Sequence, residues 1–147
     1  STVSRYEDVS ENKEYQDKDI DGIVWMKSGI PLTVELKTDK YTSGNIFYET
    51  ASCVEFHTQG CMDKTQAECL CYYFPNFQCM YCIRMDEYRK WFNANSSKFR
   101  YVQFANYTRN RQGTYHSGGR LIPITYLEEH FDARHWRKVP MPRVNVT

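Results

Sequence analysis

Apolar and polar residues alternate most clearly in the first third of the chain. Residues 20–26 form an apolar run that Asp21 opens, and residues 32–36 form another. Both read as β-strands, in which alternate side chains share a face. Ser28-Gly29 between them reads as the turn of a hairpin. This pattern turns Val34 and Leu36 toward the core and sends Glu35 and Lys37 together to the opposite side, onto a solvent-facing cleft. Residues 45–50 alternate loosely and predict a third strand, with 53–56 extending it. Residues 60–68 are polar and predict a turn into a short helix. The aromatic run 70–74, the turn at Pro75-Asn76 and the run 77–83 predict two further strands.

Helical signals are fewer. Ser4 followed by Glu7 has the spacing of a capping box and predicts a short helix within residues 4–15. Asp86 is placed to cap a helix reaching residue 94, with Tyr88, Trp91 and Phe92 along one face. Thr125 and Glu128 repeat the capping-box spacing and predict a helix toward Trp136. Residues 107–119 are polar and read as a loop, and 121–124 as a short edge strand. From Val139 on, Pro140 and Pro142 predict an extended or disordered tail. The organisation expected is one domain over residues 1–138 and a tail over 139–147.

Composition sets outer limits. A chain of 147 residues with 41% hydrophobic and 16% aromatic content can bury one sizeable core. No run reaches the roughly 18 apolar residues of a membrane span, and residues 1–7 lack the apolar stretch of a signal peptide. The expectation is a cytoplasmic protein without a membrane partner. Residues 1–60 carry 6 Lys+Arg against 11 Asp+Glu, and the remainder 13 against 7, so a net charge of +1 conceals an acidic and a basic part. A basic part can attract nucleic-acid phosphates.

The chemistry concentrates on the predicted hairpin. It brings Asp21 near Glu35 and Lys37, and two carboxylates make a hard-oxygen site suited to magnesium. A lysine beside them can orient a water or offset charge on a phosphate. The run from Gln16 to Asp21, the Glu35-Leu36-Lys37 motif and the following Gly44-Asn45 resemble the active-site hairpin of the PD-(D/E)xK nuclease superfamily, in particular small phage or viral members. The resemblance is strongest over residues 16–50 and continues more weakly over 60–92.

That resemblance implies an α/β fold of restriction-endonuclease-like type, a mixed β-sheet flanked by helices. It implies a metal-dependent nuclease, a DNA endonuclease or junction resolvase, with nucleic acid, DNA first, as partner and a homodimer as the means of cutting two strands. For a phage or viral protein the location would be the host-cell cytoplasm. Asp21, Glu35 and Lys37 would be catalytic. Asp21, Glu35 and the Leu36 backbone carbonyl would hold Mg²⁺ or Mn²⁺, which would polarise the phosphate and activate a water. Glu49, or one of Glu7, Glu11 and Glu14, could add a further acid. The alternative on the same fold is an inactive nucleic-acid-binding or interaction protein.

Other candidates are weaker. Lys40 and Lys64, and Arg109, Arg111 and Arg120 with Tyr107 and Tyr115, are of types that contact phosphates and stack on bases. Cys69, Cys71, Cys79 and Cys82 invite a third reading, a cysteine-rich zinc module. Strand parity argues against zinc: Cys79 and Cys82, three apart, fall on opposite faces. Packing residues are the expectation for these thiols, and for Trp91 and Trp136.

Overall fold

The computed structural model describes residues 3–107 and 113–142. Among these residues ten strands form two sheets. The first contains β1 (Val3–Asp8), β2 (Gly22–Met26), β3 (Pro31–Thr38), β6 (Cys69–Phe74), β7 (Cys79–Arg84) and β10 (Trp136–Pro140), in the order β1-β2-β3-β6-β7-β10. Only β3 and β6 run parallel, so this sheet is mixed. The second contains β4 (Asn45–Cys53), β5 (Thr58–Gln59), β8 (Arg100–Tyr107) and β9 (Thr114–Pro123), antiparallel in the order β5-β4-β9-β8. Among the described residues four α-helices complete it: α1 (Lys13–Gln16), α2 (Cys61–Lys64), α3 (Met85–Asn95) and α4 (Ile124–His130). The chain is thus mixed α/β with few helices, and no helix among the described residues is long and apolar enough to cross a membrane.

The hairpin forms where the alternation predicts it. Gly29 takes φ +88° in the turn, and its N–H donates to the Met26 carbonyl. A side chain would be strained at that φ, which is why glycine serves there.

The face assignment is reversed. Leu36 is 44% exposed, whereas Glu35 is 6% exposed. Register gives the reason. Glu35 pairs with Leu70 and Lys37 with Tyr72 across the parallel ladder, and both partners belong to the main core. Glu35 therefore lies on the sheet's inner face. Val34 is buried on the other face, where the Tyr6 ring lies against its pairing partner Gly22. An internal strand covered on both faces leaves alternation unable to say which face is inward.

The main core spans both sheets and both longer helices. Leu70, Tyr81 and Ile83 from the first sheet meet Ile46, Tyr48 and Ile122 from the second, with Tyr88 and Phe92 of α3 and Leu127 of α4. Phe92 stacks flat on Tyr48, with ring centroids 3.5 Å apart. A smaller cluster, Val9, Ile20, Ile23 and Ala67, packs near β2.

Several expected elements are corrected. Residues 3–8 form an edge strand rather than a helix: Ser4 Oγ donates to the Trp25 carbonyl instead of capping. The helix after it is a single turn capped by Asn12. Asp86 sits inside α3, whose N-cap is Arg84, and Thr125 sits inside α4, which starts after Pro123 and ends at His130. Residues 114–119, expected as loop, belong to β9, and 121–123 are part of that same inner strand rather than an edge. Trp136 opens β10, which continues through Val139 and Pro140 beside β7.

Candidate functional site

Asp21 precedes the first residue of β2. Its N–H donates to the Val34 carbonyl at 2.9 Å, and its Oδ2 accepts from the Leu36 N–H at 2.8 Å. The carboxylate is thereby pinned to the edge of β3 just beyond the end of the β2–β3 ladder. The N–H and C=O of one strand residue point to the same edge, so the Leu36 carbonyl points to that same side of β3.

Glu35 lies on the same face as Ile23 and Leu70, between the small cluster and the main core. Burial, opposed by Lys37 and reinforced by the negative charges of Asp21 and Asp19, pushes its carboxyl up to about 7. Lys37 Nζ lies 3.2 Å from Glu35 Oε1, with the lysine side chain 37% exposed. Burial alone would pull that ammonium down, but Cys61, Glu35 and Glu49 around it outweigh burial and hold it above its ordinary value. The structure thus brings Asp21, Glu35 and Lys37 into one electrostatically coupled group. It is set deeper than a surface hairpin.

Lys37 opens into a cavity of about 410 Å³ between the two sheets. One wall is Lys37 and Tyr72; the other is Asn45, Phe47 and Glu49 of β4 with Leu121 and Phe104. Tyr72 ties the walls together. Its hydroxyl donates to Asp39 Oδ2 at 2.7 Å and accepts from the Phe47 N–H at 3.1 Å. Glu49 Oε1 accepts from the Cys61 N–H at 3.0 Å at the start of α2, so this acid faces the cavity while anchoring that turn. Burial pushes the Cys61 thiol up to about 12, opposed by the neighbouring Lys37 ammonium.

The site's floor is held from α2. Lys64 pairs with Asp19 at 3.5 Å, the Gln66 N–H donates to the Lys18 carbonyl, and Thr65 Oγ1 donates to the Asp19 carbonyl at 2.6 Å. Arg89 of α3 donates to the carbonyls of Met62 and Thr65. Lys64 is consequently a brace.

The remaining candidates separate. Arg120 donates to the Phe99 carbonyl and lies over the Tyr101 ring, a packing role. Arg109 and Arg111 lie outside the described residues. Glu7 and Glu14 are engaged with Arg5 and Lys18 on the exposed periphery, and neither they nor Glu11 is among the groups that shift Glu35. The acid that does reach Glu35 besides Asp21 is Asp19. It stands inside the Gln16–Asp21 run, and its φ of +51° was the property that spacing could not reveal. Cys79 pairs with Phe74 on the inner face and Cys82 with Cys71 on the outer, the parity that spacing predicts.

Carboxylates and a backbone carbonyl are hard oxygen donors of the kind a hydrated divalent cation takes. Asp21, beside β3, and Glu35, on its inner face, offer two carboxylates, and Mg²⁺ is ordinarily held by one or two carboxylates with water completing its shell. No cluster of three or more His, Cys, Asp and Glu side chains arranged for a metal occurs among the described residues; water would have to supply the majority of ligands. No protein-family model matches the chain, and neither curated proteins nor solved structures give a significant match.

Proposed function

We propose that this protein is a metal-dependent nuclease of restriction-endonuclease-like fold that hydrolyses phosphodiester bonds, with DNA as its first substrate. The observation that carries the reading is the buried Glu35 coupled to both Asp21 and Lys37, of which Lys37 lines an open cavity. A carboxylate raised to about 7 beside a second carboxylate is a destabilised arrangement in the free protein. A divalent cation would relieve it, and functional sites are where such arrangements concentrate.

A bound Mg²⁺ or Mn²⁺ would supply Lewis acidity toward the phosphate and lower the pKa of a coordinated water. Asp21 and Glu35, with the Leu36 carbonyl, would hold it. Lys37 remains protonated and can place its ammonium against the charge that develops on the phosphate oxygens. Asp39 and Tyr72 keep the two walls registered. A junction resolvase and a homodimer that cuts both strands are specific forms of this reading.

The test is incubation with circular, linear, branched and single-stranded DNA, with and without Mg²⁺ or Mn²⁺. Metal-dependent cleavage is expected. Lys37→Ala and Glu35→Gln should each lower the rate by roughly two to three orders of magnitude. Equal activity in parent and both variants would place the chemistry elsewhere, and no cleavage of any substrate by the parent would favour a binding protein on the same fold.

A further inference from the structure

The far end of the cavity is aromatic. Tyr41, on the segment after β3, and Phe104 of β8 present nearly parallel rings, inclined by 19°, with centroids 6.2 Å apart. Phe47 meets Phe104 edge-on at 5.1 Å and fixes its orientation from beneath. Tyr41 is 68% exposed and Phe104 37% exposed, a large apolar area for a cavity mouth. Bases in a strand stack at about 3.4 Å, so a planar ring held between two others needs about 6.8 Å. The centroid separation is an upper limit on the gap between the planes, so the gap is at least about half an ångström short of that, and the exposed Tyr41 side chain would swing outward to admit a base.

The polar groups nearby suit a nucleotide. The Asn45 amide lines the cavity and has no hydrogen-bond partner among the described residues; it offers a donor and an acceptor to a base edge. The ammonium of Lys40 lacks an ion pair among the described residues and stands at the same mouth as Tyr41. Lys37 lies deeper. A strand whose base enters between the rings would thus meet the positive charge of Lys40 and, deeper in the same cavity, of Lys37.

We infer that the Tyr41–Phe104 pair is a clamp for one unstacked nucleobase, so that the substrate is a strand with an unpaired base: a single strand, a frayed end or a branch point. Aromatic rings favour this because every base has a face to stack on, whereas paired bases inside a duplex do not expose one. The inference rests on the nuclease reading for what happens next to the strand, but not for the binding.

The experiment is performed in chelator, where no cleavage occurs. A single-stranded DNA oligonucleotide with one 2-aminopurine, the same sequence as RNA, and its fully paired DNA duplex are titrated with protein. The fluorescence of the single strand should be quenched on binding, and the duplex should bind more weakly. Tyr41→Ala and Phe104→Ala should each weaken single-strand binding about tenfold. Quenching of DNA, RNA or both supports the clamp and says which sugar it accepts. Tyr41→Ala removes an exposed side chain, so it stays informative if Phe104→Ala fails to fold. Absent quenching, or affinity unchanged in Tyr41→Ala, overturns the clamp, even for a protein that cleaves DNA with Mg²⁺. Quenching that depends on Tyr41, in a protein that cleaves nothing, supports the clamp and overturns the nuclease reading alone.

Discussion

At the scale of single residues, Glu35 is the most consequential. Its folded carboxyl sits at about 7 against an ordinary 4.5. Between those values the folded state binds more protons than the unfolded one, so stability falls as pH rises through that window, and the penalty is complete above it. At 1.36 kcal/mol per unit, the penalty is a few kcal/mol at most, and solvent screening lowers it. Glu35→Gln should therefore stabilise the metal-free protein more at about pH 8 than at about pH 4. Thermal melts in chelator read this as a gap between variant and parent that widens with pH; a gap independent of pH would show that Glu35 ionises freely. Tyr88 offers a second check. Its hydroxyl is fully buried with no hydrogen-bond partner among the described residues. Burying an unsatisfied hydroxyl costs about 1–3 kcal/mol. Tyr88→Phe should raise the urea midpoint or leave it unchanged, and a clear fall would reveal a partner to that oxygen. At this scale the sequence was informative about identity and silent about side. The pairing of Glu35 with Lys37 on one face follows from alternation. That the face is inward depends on Leu70 and Tyr72, which only the β3–β6 register brings there.

Among elements, local signals succeeded where turn chemistry was strong and failed where tertiary pairing decided. Gly29 closes the β2–β3 hairpin and Pro75 the β6–β7 connection, both as their residue types predict. Residues 3–8 are polar enough to read as helix, yet they become an edge strand because β2 offers an unpaired ladder. Residues 114–119 include Gly118 and Gly119 and read as loop, yet they are the first part of β9. The glycines are there for proximity. A Cβ on Gly119 would lie 2.3 Å from the Tyr48 carbonyl oxygen and 2.6 Å from the Phe47 ring. No loop signal can announce such a requirement, since it arises from the neighbouring strand. Gly119→Ala should thus force β9 away from β4 and cost about 1–3 kcal/mol. Chemical denaturation measures it directly. An unchanged midpoint would mean that the β4–β9 ladder yields without strain and that Gly119 is replaceable.

Across the whole molecule, the order of the strands ties the two sheets into one folding unit. The chain leaves the first sheet after β3, builds β4, β5 and α2, and only then returns as β6 to pair parallel with β3. Closing that parallel ladder requires the excursion to be in place, and the cavity holding Lys37 lies along the seam. Phe92 is where the seam is filled: it stacks on Tyr48 of the second sheet at 3.5 Å and on Phe99 at 6.1 Å, within a core that includes Leu70 and Ile83 of the first. Phe92→Ala should cost about 3–5 kcal/mol. For a chain of this size that is a fall in melting temperature of about 10 °C. The informative part is the form of the transition. If the sheets share one core, tryptophan fluorescence, to which Trp25 contributes from β2 and Trp91 and Trp136 from the main core, should melt at the same temperature as far-ultraviolet dichroism, in parent and variant alike. Two separated transitions in Phe92→Ala would show sheets that fold independently, and a site at their boundary would then lack the rigid support that positioning Glu35 and Lys37 demands.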